Sequence, residues 1–175
     1  MSREGVGSWE MGVGEKHPSR GFVPPSGEMI RSPFPKMPPW RMNRIRSGTI
    51  RSHRDLEVWQ TALELALETY LLTEQYPRRE IYGLAAQMRR AAASIGSNIA
   101  EGHGRDTTRD FLRFLAIAAG SLRELDTYFV LSLRLEYVTK AQVERLGDLA
   151  ESIGRMLTSL RAVLRRKIRP KPSQP

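Results

Sequence analysis

Gln87, Arg90, Ser94, Asn98 and Glu101 recur at spacings of three and four, and Asp110, Arg113, Ser121 and Glu124 form a second such set, interrupted by Ile117, Ala118 and Gly120. On α-helices each set lies along one face. Guanidinium, amide and carboxylate groups aligned in this way can bind a polar ligand, or can face each other inside a bundle and hold two helices in register. In the second case Arg90 would pair with Glu124, or Arg113 with Glu101, because buried charges persist only when paired and hydrogen-bonded. The spacing therefore supports either a binding site or a structural polar network of Arg90, Asn98, Glu101, Arg113, Ser121 and Glu124.

Chemistry beyond binding has little to draw on. The chain contains no cysteine, which excludes a thiolate zinc site, a cysteine nucleophile and a disulfide scaffold. His103 is the one histidine of the helical region and reads as a solvent-facing residue of the turn from Glu101 to Arg105. It has no second histidine at ligand spacing, and the sequence holds no E-x-x-H pair, nucleophile elbow or phosphate loop. The expectation is a protein that is not an enzyme, with no catalytic residue, no metal and no cofactor.

Charge suggests a different chemistry. The 175 residues carry 28 Lys+Arg against 19 Asp+Glu, a formal +9. Residues 1–54 hold +6 of it, residues 55–163 hold −2 and residues 164–175 hold +5. Arg51 and Arg54 stand just before the helical region, while Arg161, Arg165, Arg166, Lys167, Arg169 and Lys171 gather at its end. An up-down bundle of four helices would bring both groups to one end, as a basic patch able to neutralise phosphates of RNA or DNA. Aromatic residues are sparse there, Trp40 being the exception, which favours backbone contact without base readout. The same charges could instead keep the ends soluble or complement the helix macrodipole. A competing reading from another class is a scaffold that docks a partner protein and has no nucleic-acid role.

Proline and glycine mark which part of the chain can position these groups. Seven of eleven Pro and seven of fourteen Gly precede Arg54, and three more Pro follow Ile168. Residues 1–54 accordingly read as a disordered basic arm, 55–168 as the ordered body and 169–175 as a basic tail. Met37 and Met42 lie close upstream of the body, so the arm could be sequence ahead of a later start. No apolar stretch approaches the roughly 18 residues of a membrane span or the core of a secretory signal, which leads to a cytoplasmic protein with no membrane partner.

Within the body the apolar spacing is helical throughout. The first helix should open at Asp55 as N-cap, bury Trp59, Leu63, Ala66 and Tyr70, and close before Pro77. The second should run from Glu80 or Leu84 to Glu101, with Leu84, Met88, Ala91, Ile95 and Ile99 inward and Gly102 as the left-handed residue after it. Thr107 with Asp110, and Thr139 with Gln142, have the spacing of a capping box and open the third and fourth helices. Short connections favour antiparallel neighbours, so the fold class is an all-α, antiparallel up-down four-helix bundle with a disordered N-terminal arm. The first and third helices are apolar over a wider arc than a lone bundle needs, which favours homo-oligomerisation.

The run SNIAEGHGR at 97–105, with DFLRFLAIAAGSLRELDTY at 110–128, DLEVWQTALELALETY at 55–70 and QMRRAAASI at 87–95, resembles a known bacterial family. These are the four-helix-bundle proteins encoded by intervening sequences of bacterial 23S ribosomal RNA genes. The resemblance spans about residues 55–163. It implies homopentameric rings, and a relation to the accessory variability protein of diversity-generating retroelements, a basic ring that engages nucleic acid and a reverse transcriptase. The family's marked residues fall on Arg90, Asn98, Glu101, Gly102, Arg113, Phe114, Gly120, Ser121 and Glu124. Many relatives have proline where this chain has Gly96.

Overall fold

A computed structural model describes residues 50–168. The arm before Ile50 and the tail residues Arg169 and Lys171 lie outside the described residues. Four helices make up the body: α1 (Glu57–Glu74), α2 (Leu84–His103), α3 (Thr108–Arg134) and α4 (Lys140–Ile168). A short 3-10 turn, His53–Asp55, precedes α1, and another, Arg78–Glu80, lies between α1 and α2. There is no strand among the described residues.

Each helix packs on its two neighbours in the cyclic order α1, α2, α3, α4, with α4 returning to α1. Side-chain contacts show the neighbours to be antiparallel. Arg89, early in α2, donates from Nε to Thr73 Oγ1, late in α1, at 2.7 Å. Arg145, early in α4, reaches Glu68, in the second half of α1, at 2.6 Å. Met88 near the start of α2 receives the Ser132 hydroxyl from the end of α3, with 3.5 Å between oxygen and sulfur. The fold is the expected all-α, four-helix bundle.

Two of the expected caps form as their spacing required. Thr107 Oγ1 accepts from the Asp110 backbone N–H at 3.1 Å and opens α3, and the Thr139 N–H donates to Gln142 Oε1 at 2.8 Å ahead of α4. The start of the body differs from expectation. Leu56, not Asp55, is the N-cap of α1, with no side-chain cap. Asp55 is instead the third residue of a capping box one turn earlier: its Oδ2 accepts the Ser52 N–H at 2.9 Å, and Ser52 Oγ accepts from Arg54. Two backbone N–H groups, of Arg51 and Ser52, hold the Asp55 carboxyl below its ordinary pKa. This turn, His53–Asp55, lies partly within the segment assigned to the arm.

The inner stripe of α1 is also displaced by one residue. Val58, Ala62, Leu65, Thr69 and Leu72 are buried, whereas Trp59, Leu63 and Ala66 are half-buried and Tyr70 is exposed. Thr69 is what disguised the stripe: its hydroxyl donates to the Leu65 carbonyl at 2.7 Å, so a residue counted as polar sits in the core with its donor satisfied. On α2 all five expected core residues are buried, and on α4 Leu146, Ala150, Ile153, Leu157 and Leu164 are buried.

Gly102 has a different role from the one its type suggested. It lies within α2, which continues to His103, and Gly104 caps the helix with φ −80. A Cβ at Gly102 would stand 2.6 Å from Phe114 Cβ and 2.9 Å from Phe111 Cδ2. Close approach of α2 and α3, rather than a left-handed backbone, explains the missing side chain.

Candidate functional site

The two polar stripes meet along the seam of α2 and α3, but on its outer side. Arg90, Glu101, Arg113 and Glu124 are exposed, Asn98 is half-buried, and of the six only Ser121 is buried. Neither expected ion pair forms. Arg90 Nη2 donates to Gln87 Oε1 at 2.5 Å. Glu101 pairs with Arg105, and Glu124 accepts the Tyr128 hydroxyl at 2.9 Å. That bond to an anionic acceptor is the main cause holding the Tyr128 phenol above its ordinary pKa. The guanidinium of Arg113 lies over the Phe114 ring, 5.2 Å from its centroid, and that of Arg105 lies 5.0 Å from it. The charged members could not cross the seam because small residues bring the helices together there, leaving long side chains to fold outwards to water.

What does cross the seam is a chain of neutral hydrogen bonds. Ser94 Oγ and Ser121 Oγ are 3.0 Å apart. Asn98 Nδ2 donates to Ser94 Oγ at 3.0 Å and to the Ser94 carbonyl at 2.8 Å. Ser121 Oγ in turn reaches the Ile117 carbonyl at 3.3 Å. Either hydroxyl can donate in the Ser94–Ser121 pair, and when Ser121 gives its one proton to the Ile117 carbonyl, Ser94 supplies the proton between them. The register network is therefore Ser94, Asn98 and Ser121, while Arg90, Glu101, Arg113 and Glu124 form an exposed rim of mixed charge around Ala93, Ser97, Ala116 and Ile117.

Residues 54–159 match the 23S rRNA-intervening sequence proteins, over more than half of the chain. The chain belongs to that family. A solved structure from Bacteroides thetaiotaomicron VPI-5482, of a protein with unknown function from the S23 ribosomal protein family, is 28% identical to it with a TM-score of 0.55. The similarity covers 59% of this chain and 96% of that one. No curated protein matches the sequence.

In this member of the intervening sequence family, the basic residues take distinct positions. Arg51, Arg54, Arg165, Arg166 and Lys167 are exposed, and the last three occupy the final turn of α4. Arg161 is half-buried, with its Nε shielded from water. The turn carrying Arg54 packs on α1 and α2. Arg169 and Lys171 lie outside the described residues.

His103 is not the solvent-facing residue expected. It is half-buried at the end of α2, edge-on to Phe111 with centroids 5.8 Å apart, and His53 stands 6.3 Å away, itself 5.0 Å from Trp59. The second histidine came from the segment read as arm. A legible signal was present: Ser52 and Asp55 have the same spacing as Thr107 and Asp110. Among the described residues no group of three or more His, Cys, Asp or Glu could hold a metal ion, and no helix is long and apolar enough to cross a membrane.

Proposed function

We propose that this intervening sequence protein is a non-catalytic homo-oligomer that binds the RNA or DNA backbone through the basic end of its bundle. The observation that carries the reading is the final turn of α4, where Arg165, Arg166 and Lys167 are all exposed and none takes part in an ion pair among the described residues. Cations left unpaired in this way are free to displace counterions from a phosphate backbone. Antiparallel packing puts Arg51 and Arg54, ahead of α1, at the same end as the close of α4. Self-association would repeat the patch around a ring, and a cyclic pentamer is the assembly that the resemblance implies. Exposed Leu67 and Tyr70 on α1 and Ile117 and Val130 on α3 offer apolar surface for it.

A salt titration of binding to duplex DNA and to structured RNA tests this. Affinity should fall steeply between about 50 and 200 mM salt, and R165Q/R166Q/K167Q should flatten the log–log slope for DNA by about two to three. A slope unchanged by the triple variant would sink the reading. The scaffold alternative has one observation of its own: Ile81 and Tyr82, in the connection between α1 and α2, are exposed side by side, Tyr82 at 92%. Such a pair suits a protein partner docked at the opposite end.

A further inference from the structure

A groove of about 630 Å³ runs along the outer seam of α3 and α4, within the roughly 300–1,000 Å³ typical of small-molecule sites. Its charged lining is three arginines, Arg123, Arg155 and Arg161, against one carboxylate, Glu151. Glu151 pairs with Arg155 one turn along the helix, which restrains that guanidinium at the groove's edge. Arg161 Nε is the one buried side-chain polar atom without a hydrogen-bond partner among the described residues. The buried Nε holds an uncompensated donor that fixes where this guanidinium sits, and the remaining N–H groups of the arginine at the groove lining match the oxygens of an anion. The uncharged lining combines apolar Ala119, Leu122 and Leu157 with the hydroxyl residues Thr158 and Ser159. Gly154 leaves room above it: a Cβ there would be in ordinary contact, 3.7 Å from Leu122 Cδ2, and any longer side chain would enter the groove.

An anion flanked by flat apolar surface has the chemistry of a nucleotide. Arginine planes and aliphatic surface accept a base face, and guanidinium N–H groups accept its phosphate. We propose that the α3–α4 groove seats a nucleoside phosphate, either one unit of a single-stranded RNA or a free nucleotide, with the phosphate on Arg161, Arg155 and Arg123 and the base over Ala119 and Leu122. The RNA source rests on the nucleic-acid reading above, whereas the groove's own chemistry does not.

Calorimetric titration of the full chain with UMP, uridine, inorganic phosphate and a uridine octanucleotide tests the proposal. UMP should bind once per chain and at least tenfold more tightly than either uridine or inorganic phosphate. R161Q and G154L should each weaken UMP at least tenfold. R161Q removes a buried donor without a partner, so its melting temperature should hold or rise, which separates lost binding from lost folding. Binding of UMP that is equal in wild type, R161Q and G154L overturns the proposal, as does UMP no tighter than inorganic phosphate. A change in oligomeric mass on R161Q with no UMP binding overturns it too, since an acidic group of a second copy would then hold the seat. R165Q/R166Q/K167Q separates the two sites. UMP binding kept while octanucleotide affinity falls supports both. Octanucleotide bound without UMP overturns the groove alone. UMP bound with no affinity for any RNA keeps the groove as a free-nucleotide site and overturns the nucleic-acid reading.

Discussion

Gly102 shows how a single residue type can be read correctly for presence and wrongly for cause. Near a helix end, glycine suggests a left-handed cap, and only the facing helix reveals that the space a Cβ would need is taken by Phe114. Gly102→Ala gains helix propensity of about 1 kcal/mol, yet forces α2 and α3 apart against an overpacking cost of about 1–3 kcal/mol. The expected net effect is destabilisation by about 1 kcal/mol, seen as a melting temperature lower by roughly 3–5 °C. An unchanged or higher melting temperature would show that the seam can open freely. Thr69 and His103 teach the same lesson: a buried threonine that bonds its own helix looks polar, and a histidine in a glycine-rich turn looks solvated, until its neighbours are known.

At the scale of the element, periodicity and caps were legible because they are local. The inward periodicity of α2, and the openings at Thr107 and Thr139, depend on spacing within a few turns. The end of α3, at Arg134, has a backbone geometry of its own. The chain leaves α3 through a Schellman-type closure, the Tyr137 N–H on the Ser132 carbonyl at 3.0 Å and the Glu136 N–H on that of Leu133 at 3.1 Å. Glu136 has φ 57, the left-handed region, without being glycine. That conformation costs an L-residue about 1–2 kcal/mol, so Glu136→Gly should stabilise the bundle by about 1 kcal/mol after glycine's own entropic penalty. Chemical denaturation should report a higher midpoint at an unchanged slope. A lower midpoint would mean that the Glu136 side chain contributes more than its backbone strain removes.

At the scale of the whole molecule, the apolar surface left exposed on α1 and α3 is what self-assembly would cover. Leu67 and Tyr70 are each 43% exposed and Ile117 44%, on the two helices whose apolar arcs were too wide for a lone bundle. Light scattering should give a mass several times the 19.9 kDa of one chain, and Ile117→Glu, among small residues on the α2–α3 rim, should lower it. A nucleic-acid-free monomer would remove the oligomeric part of the proposed function. Charge behaves similarly: its excess was readable as belonging to the ends, but which arginines face water required the fold.

By itself the sequence determined that the body is helical and how its four helices are divided, because these follow from spacing along one chain, and its motifs carried the family resemblance that the match over residues 54–159 bears out. Tertiary structure alone decided that the Arg and Glu stripe lies outside its seam and that Ser94, Asn98 and Ser121 join across it. It also decided that His53 stands beside His103 and that Arg161, with its Nε buried, lines the α3–α4 groove. The physical reason is common to all of these. Periodicity fixes the face on which a side chain lies, whereas the helix packed against that face decides whether the side chain meets water, a partner or a void.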